Sequence, residues 1–158
     1  MRLRSIWVVS CVGTVVAVGA AAADIQIRAP SGPVVAYIRD GGRVEDASFR
    51  TLGYIRTGGR VEDMRFRTLG FVRDEGSVED ASYWTIGRVR GGGCVEDASS
   101  RAVGYVREGV IQDPRLVTVG FYEAGGFTGD VDAALAAYVF FFSPALFTQP
   151  EWDTVYKP

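Results

Sequence analysis

The chain contains 158 residues, with 17 lysines and arginines against 19 aspartates and glutamates and no histidine. A net charge of −2 without a basic cluster argues against nucleic-acid binding, because nucleic-acid-binding proteins concentrate Lys and Arg against the phosphates. The lack of histidine excludes Ser-His-Asp and Cys-His catalysis, and it removes the commonest zinc ligand. We therefore expect neither an enzyme nor a protein that binds a metal or cofactor.

The first 23 residues have the pattern of a secretory signal peptide, with a basic start, an apolar run over 6–18 and small residues at 20–23. We predict cleavage after Ala23 and export to the periplasm or cell envelope of a bacterium. The alternative is a lipoprotein modified at Cys11, because Val8-Val9-Ser10-Cys11 fits a lipobox, although few apolar residues precede it. Cleavage leaves Cys94 alone, so no internal disulfide is expected.

The middle of the chain repeats one unit with a period of 17 residues. A fixed short period predicts that a single supersecondary element is copied along the chain. The four clear copies are Arg43–Arg56, Arg60–Arg73, Ser77–Arg90 and Cys94–Arg107. Two irregular copies are Ile111–Tyr122 and Ile27–Arg39. We therefore predict a repeat domain over 24–147, followed by a tail over 148–158.

Each unit is predicted to form a β-hairpin. Val44–Asp46 and Thr51–Arg56 favour strands, and glycine-rich connectors such as 57–59 separate successive units. A turn at 48–49 would place Asp46 opposite Thr51, Glu45 opposite Leu52 and Val44 opposite Gly53. Alternation then gives one face with the apolar residues and the glycine, and another with the Arg, Glu and Tyr side chains.

A glycine recurs in the middle of the second strand of each unit, at positions 53, 70, 87, 104 and 120. Glycine inside a strand indicates close approach of another segment. Val131–Phe142 is apolar around nearly its whole circumference, which predicts a buried helix at about 130–143, capped by Thr128 or Asp130. At about 18 Å, such a helix is too short for a bilayer core of about 30 Å.

These features predict an all-β repeat fold, a ring of five to six short hairpins (petals) around a hydrophobic C-terminal helix. A propeller blade needs about 40 residues, more than twice this period. A parallel solenoid would stack the glutamates of successive units about 4.8 Å apart, which is unfavourable for like charges. A ring separates those glutamates, so we favour the ring.

The repeated pattern Val-Glu-Asp-x-x-x-Arg-Thr-x-Gly-x-Ile, between a signal peptide and an Ala/Phe-rich helix, resembles the β-flower repeat proteins, with the five-fold group nearest. The resemblance covers about 27–147. It implies hairpin petals around a central hydrophobic helix and no catalytic residue. The fold that it implies is similar in outline to tubby-like barrels, among which membrane or lipid association recurs. The first copy lacks the acids, and Gln112 replaces Glu in the last copy. The sequence therefore does not decide whether the ring has five petals or six.

The paired acids of each unit, such as Glu45-Asp46, resemble the start of a catalytic or calcium site. Because they recur at equivalent positions, we interpret them as structural: each Asp bonds its turn or the facing Thr, and each Glu pairs with an arginine. The predicted arginine partners are Arg56, Arg73, Arg90 and Arg107.

The predicted hairpin tips carry large apolar residues with arginines beside them, where Asn-Gly would be the easier choice. We predict that they form a binding rim for a protein, a glycan or an anionic lipid surface. The alternative is that each aromatic ring folds back onto the neighbouring petal to cover the core. The residues of the predicted rim are Phe49, Arg50, Arg65, Phe66, Tyr83, Trp84, Arg101, Arg115 and Leu116.

The sequence thus favours a non-catalytic extracytoplasmic binding or scaffold module whose ligand it does not specify. The alternative is a membrane-associated protein that contacts lipid through the Phe-rich helix or through the aromatic tips.

Overall fold

The computed structural model describes residues 24–143. The predicted signal peptide, the lipobox cysteine and the predicted tail lie outside the described residues. The predictions made for them therefore stay predictions.

Twelve strands and one C-terminal helix make up the described part of the chain. The strands are β1 (Asp24–Arg28), β2 (Val34–Arg39), β3 (Arg43–Asp46), β4 (Thr51–Ile55), β5 (Arg60–Asp63), β6 (Thr68–Val72), β7 (Ser77–Asp80), β8 (Thr85–Val89), β9 (Cys94–Asp97), β10 (Ala102–Arg107), β11 (Val110–Gln112) and β12 (Thr118–Gly125). The helix α1 (Val131–Ala137) continues into a π-helical turn (Tyr138–Phe142).

The strands form a closed antiparallel ring. Each strand pairs with its neighbours in the chain, and β1 also pairs with β12, with Asp24 opposite Gly125 and Arg28 opposite Phe121. Closure leaves no sheet edge unpaired among residues 24–143, which removes the usual template for aggregation. The predicted all-β fold with a C-terminal helix is confirmed.

Two kinds of turn alternate around the ring and define its two rims. At the tip rim, turns 47–50, 64–67, 81–84, 98–101 and 114–117 each follow an aspartate that ends a short strand or its equivalent. At the opposite glycine rim, connectors such as 57–59 place glycines at positive φ. Gly59 needs this residue type twice over, because its φ is 78° and a Cβ there would lie 1.8 Å from the carbonyl oxygen of Val72.

The register of the repeated hairpins differs from the prediction by one bulge. Val44 lies opposite Gly53 as predicted, but Glu45 lies opposite Thr51, and Leu52 is the extra residue. The reason is the tip turn: the N–H of Asp46 donates to the carbonyl of Arg50 at 3.0 Å, which closes a three-residue loop instead of a two-residue one. The same bulge recurs in the next four units.

The interior of the ring is lined by the apolar face and filled by the helix. Val44 and its equivalents Val61, Val78 and Val95 are fully buried, as is Leu135 of α1. Strand residues from both sides of the ring form one cluster with Leu135, which shows that the helix lies inside. None of the helical segments in the described range is long and apolar enough to cross a bilayer.

The helix begins at a side-chain cap and ends in a π-helical turn. Asp130 caps it by accepting from the N–H of Ala133 at 3.1 Å, while Thr128 donates instead to Asp40 at 2.7 Å. Its last turn widens to the π form, in which the N–H of Ser143 donates to the carbonyl of Tyr138 at 2.9 Å.

The π-helical turn explains the repeated glycines of the strands. Its three phenylalanines point at glycines of three strands, namely Phe142 at Gly53 of β4, Phe141 at Gly70 of β6 and Phe140 at Gly87 of β8. A π-turn holds more residues than an α-turn, so each residue rotates through less than the 100° or so of an α-helix. This smaller rotation per residue lets three consecutive phenylalanine side chains reach three consecutive hairpins.

Candidate functional site

The outer face of the strands, here called the wall, carries glutamates that form salt bridges with arginines. The carboxylate of Glu62 is buried between Arg56 and Arg60, with nitrogen to oxygen distances of 2.8 Å to each. Glu45 lies in the same way between Arg39 and Arg43. Salt bridges of this kind hold adjacent hairpins together and leave these carboxylates committed to structure.

Each of these glutamates has one arginine partner from the preceding unit, as with Arg39 for Glu45 and Arg56 for Glu62. Arg73 binds Glu79 at 2.6 Å and Arg90 binds Glu96 at 2.6 Å, which confirms pairing for two more predicted arginines. Arg107 differs from the prediction and stacks over the Tyr105 ring at 5.1 Å. The facing strand carries Gln112 in place of Glu, opposite Tyr105, so no carboxylate is offered at this position.

Three tip aromatics stack on the wall of the preceding hairpin. Phe66 lies 5.2 Å from Tyr54, centroid to centroid, with the ring planes 19° apart, and Arg56 covers Tyr54 at 4.4 Å. Two further aromatic pairs repeat this arrangement at 5.0–5.3 Å: Tyr37 with Phe49, and Phe71 with Tyr83. The rings do fold back onto the neighbouring hairpin, yet the tip residues stay 61–65% exposed, so each still presents a surface to its surroundings.

The backbone at these tips is strained to direct the side chain onto the wall. Phe49, Phe66 and Tyr83 have φ of 61–65°, a left-handed conformation that costs roughly 1–2 kcal/mol for a residue with a Cβ. In the fourth unit Ser100 takes this position, and Arg88 replaces the aromatic wall residue. Tip and wall thus change together in the fourth unit, a signal that points to the wall partners that sequence reasoning missed. The fifth unit does not follow it, because Leu116 takes the tip position while Tyr105 keeps the preceding wall position aromatic.

Two residues of one tip, Phe66 and Met64, allow the effect of stacking to be measured apart from the effect of exposure. Phe66 and Met64 are 61% and 64% exposed, but only Phe66 stacks on a wall residue. We expect Phe66→Ser to lower the free energy of unfolding by about 1 kcal/mol, and Met64→Ser to change it by less than about 0.5 kcal/mol. Urea denaturation of both variants checks this, and equal losses would contradict a specific role for the stack.

Large exposed apolar residues concentrate at the tip rim. Among the described residues, seven of the eight large hydrophobic side chains with high exposure lie in tip turns, and Phe121 on the wall is the eighth. The most exposed is Trp84, at 73%. The seven are Phe49, Met64, Phe66, Tyr83, Trp84, Leu116 and Val117. Sequence reasoning missed Met64 and Val117, which flank the predicted positions.

The tip rim also presents its arginines outward and its carboxylates inward. The Arg50 side chain is 79% exposed, whereas Asp46, its ion-pair partner, is only 19% exposed. The carboxylate is held in the turn because it accepts from the N–H groups of Ser48 and Arg50 at 2.8 and 3.0 Å. Arg67 and Arg101 repeat this geometry, and Arg65 and Arg115 are exposed on the same rim. A partner at this rim therefore meets guanidinium groups and apolar side chains.

The same turns lower the pKa of their aspartates. The N–H of Arg67, its guanidinium and the N–H of Arg65 hold the pKa of Asp63 below its usual range. Burial alone raises the pKa of Asp97, but the N–H and guanidinium of Arg101 and the N–H of Ser99 outweigh it and lower the pKa. Both aspartates therefore stabilise the folded state in the charged form.

These shifts predict a loss of stability in acid. An unfolded aspartate titrates near pH 3.9, so the stabilisation is complete above about pH 5 and is lost as the pH falls through the lower pKa of the folded state. We expect Asp97→Asn to be less stable than the parent at pH 7 and to lose less stability below about pH 4. Urea unfolding across this pH range measures it, and parallel pH profiles for the two proteins would contradict the assignment.

Three other kinds of candidate site are a free cysteine, a groove at the glycine rim and a metal site. Cys94 is half-buried, and burial followed by the charge of Glu96 raises the pKa of its thiol, which disfavours the nucleophilic thiolate. A groove of about 410 Å³ opens at the glycine rim, between the connectors and the segment 127–130 that enters the helix. Within residues 24–143, no three His, Cys, Asp or Glu side chains converge in a way that could hold a metal ion.

The structure places all nine residues of the predicted rim at the tip rim, exposed and distributed over five consecutive tips. It brings them to the same rim of the ring, in successive tip turns. Comparison with curated proteins and with solved structures found no match. The family model described as "5-fold beta-flower protein" matches residues 26–143. The chain belongs to the 5-fold beta-flower family.

Proposed function

We propose that the chain is a non-catalytic extracytoplasmic binding module and that the tip rim is its binding surface. One observation carries this proposal: seven of the eight highly exposed large hydrophobic side chains in the described range lie in tip turns. Monomeric proteins rarely gather exposed apolar residues in one region without a partner to cover them. The neutralised glutamates of the wall favour binding over catalysis.

The ring acts in this proposal as a scaffold of five equivalent petals. Each petal ends in a tip that an aspartate closes by accepting two backbone N–H groups: Asp46, Asp63, Asp80, Asp97 and Asp113. The hairpin β1–β2 closes the ring, and its turn over 29–33 has a proline-rich sequence instead of the aspartate. The repeated turn geometry frees the other tip residues to vary for recognition.

The proposed location follows from the signal sequence and is compatible with the fold. Strand β1 covers Asp24–Arg28, which lies C-terminal to the predicted cleavage site. Asp24 is opposite Gly125 and Arg39 in the ring, and its carboxylate is paired with the Arg39 guanidinium. Cleavage after Ala23 would thus leave every strand of the ring in the mature protein.

The test is site-directed photo-crosslinking in the cells that produce the protein. A photoreactive phenylalanine analogue replaces Met64 or Trp84 at the tip rim, and, as matched controls, Arg88 or Phe121 on the wall. All four positions are exposed. We expect adducts from the tip positions and few from the wall positions. Equal adduct yields from tips and wall would overturn the proposal.

A further inference from the structure

We propose that the partner of the tip rim is the surface of an anionic lipid bilayer. This inference rests on the function proposed above and names the partner of the same surface. Three observations support it: the level arrangement of the tips, the kinds of side chain they carry and the direction in which their charges point.

The tips end at one level, so a flat partner can touch many of them together. Strands β3, β5, β7 and β9 have four residues each, and the register of the hairpins β3–β4, β5–β6 and β7–β8 is the same. Strand pairs of equal length and register place their turns at equal heights around a closed ring. A small ligand would reach one or two tips, whereas a bilayer surface meets the whole rim.

The side chains on the apolar tips are those that favour the boundary between lipid and water. Trp and Tyr combine an apolar ring with a polar group and are enriched at membrane interfaces. Tyr83 and Trp84 lie side by side on one tip, next to the tip with Met64 and Phe66. Phe49 is on the tip before these, so three consecutive tips form an apolar arc.

The fourth tip is polar, unlike the fifth tip with its exposed Leu116 and Val117, and this difference gives the docked ring a direction of tilt. The fourth tip consists of three residues with small side chains, Ser99 and Ser100 among them, followed by Arg101. We infer that the apolar arc inserts more deeply than this small-residue tip. The ring would then lean toward the tips that carry Phe49, Phe66 and Trp84.

The charges of the rim favour an anionic surface over a neutral one. The tips carry equal numbers of Asp and Arg, but the carboxylates of Asp46, Asp63 and Asp97 are drawn into their turns, while the side chains of the paired arginines are 67–79% exposed. Exposed arginines near a membrane surface attract anionic headgroups, and Arg can donate to them in bidentate fashion. The contact does not require the helix, because its phenylalanines are already packed against strand glycines.

The experiment is flotation of the purified protein with vesicles of phosphatidylcholine alone and of phosphatidylcholine with phosphatidylglycerol. We expect stronger binding to the anionic vesicles, weakened by high salt because screening acts on exposed charges. Met64→Ser/Trp84→Ser should reduce the partition coefficient at least about tenfold. Arg65→Ser/Arg115→Ser should remove on the order of tenfold of the preference for anionic vesicles.

The matched controls are Phe121→Ser for the apolar change and Arg88→Ser for the charge change, since both residues are exposed on the wall. Both controls should bind vesicles like the parent, and melting curves verify that all variants are folded. No flotation of the parent, or equal losses in wall and tip variants, overturns the lipid partner. Crosslinks from the tips to a protein or glycan, without flotation, would overturn this inference and leave the binding module standing.

Discussion

Alanine at Gly70 should lower the free energy of unfolding by about 3 kcal/mol or more, because the added methyl group has no space. An ideal Cβ at Gly70 would lie 2.1 Å from the carbonyl oxygen of Glu79 and 2.6 Å from the Phe141 ring. The carbonyl belongs to a strand of the closed ring and cannot shift without moving its hydrogen-bonded neighbours. Urea denaturation measures the loss.

Two other glycines make the comparison specific. A Cβ added at Gly91 would have no neighbouring atom within 4 Å, and Gly91 has no positive φ, so Gly91→Ala should change stability by less than about 0.5 kcal/mol. Gly120 should show an intermediate loss, since its nearest neighbour would be the Arg28 carbonyl at 3.0 Å. A loss at Gly91 as large as at Gly70 would contradict crowding as the cause, because the lower chain entropy of alanine alone makes Gly91→Ala neutral or slightly stabilising.

Leu135→Ala is expected to cost about 2–5 kcal/mol, because it removes a fully buried side chain from the centre of the ring. Leu135 belongs to the cluster that joins α1 to strands on both sides, including Ile38 and Val106. Surrounding strands cannot collapse into the cavity without breaking the closed sheet, which places the expected loss in the upper half of this range.

The control for this substitution lies on the same helix. Asp132 is exposed, so Asp132→Ala should alter the free energy of unfolding by no more than about 0.5 kcal/mol. Protease digestion gives a second measurement: cleavage near Phe140–Phe142 should be slow in the parent and faster in Leu135→Ala. Rapid cleavage there in the parent protein would contradict burial of the helix.

The ring, the apolar face and the helix could be predicted because the repeat states the same local rules several times. Five mid-strand glycines and one segment that is apolar around nearly its whole circumference imply each other, since the space that glycines leave on strands must be filled by another segment. The bulge at Leu52 could not be predicted in the same way. It follows from a loop with Phe49 at φ 61°, a conformation that an aromatic residue adopts only when tertiary contacts stabilise it.

The candidate site was predicted by residue type and position, and its details depend on contacts between units. Tip aromatics such as Phe66 are visible in one repeat, but their stacking partners, such as Tyr54, belong to the preceding one. The glutamate–arginine pairs cross units for the same reason, as with Glu62 and Arg56. A single repeat read alone cannot show which neighbour its side chains contact, because that depends on how the ring closes.

The pairing of β1 with β12 also sets the order in which the chain can fold. Every other strand pair joins consecutive strands, so those contacts are local in sequence and can form early. At the seam, Ile25 pairs with Ala124, which requires the two ends of the repeat array to meet. Closing so long a loop is slow compared with forming a hairpin, and until it happens the array is an open sheet with two free edges. The seam is therefore the step at which the folding chain is most exposed to misassembly with another copy.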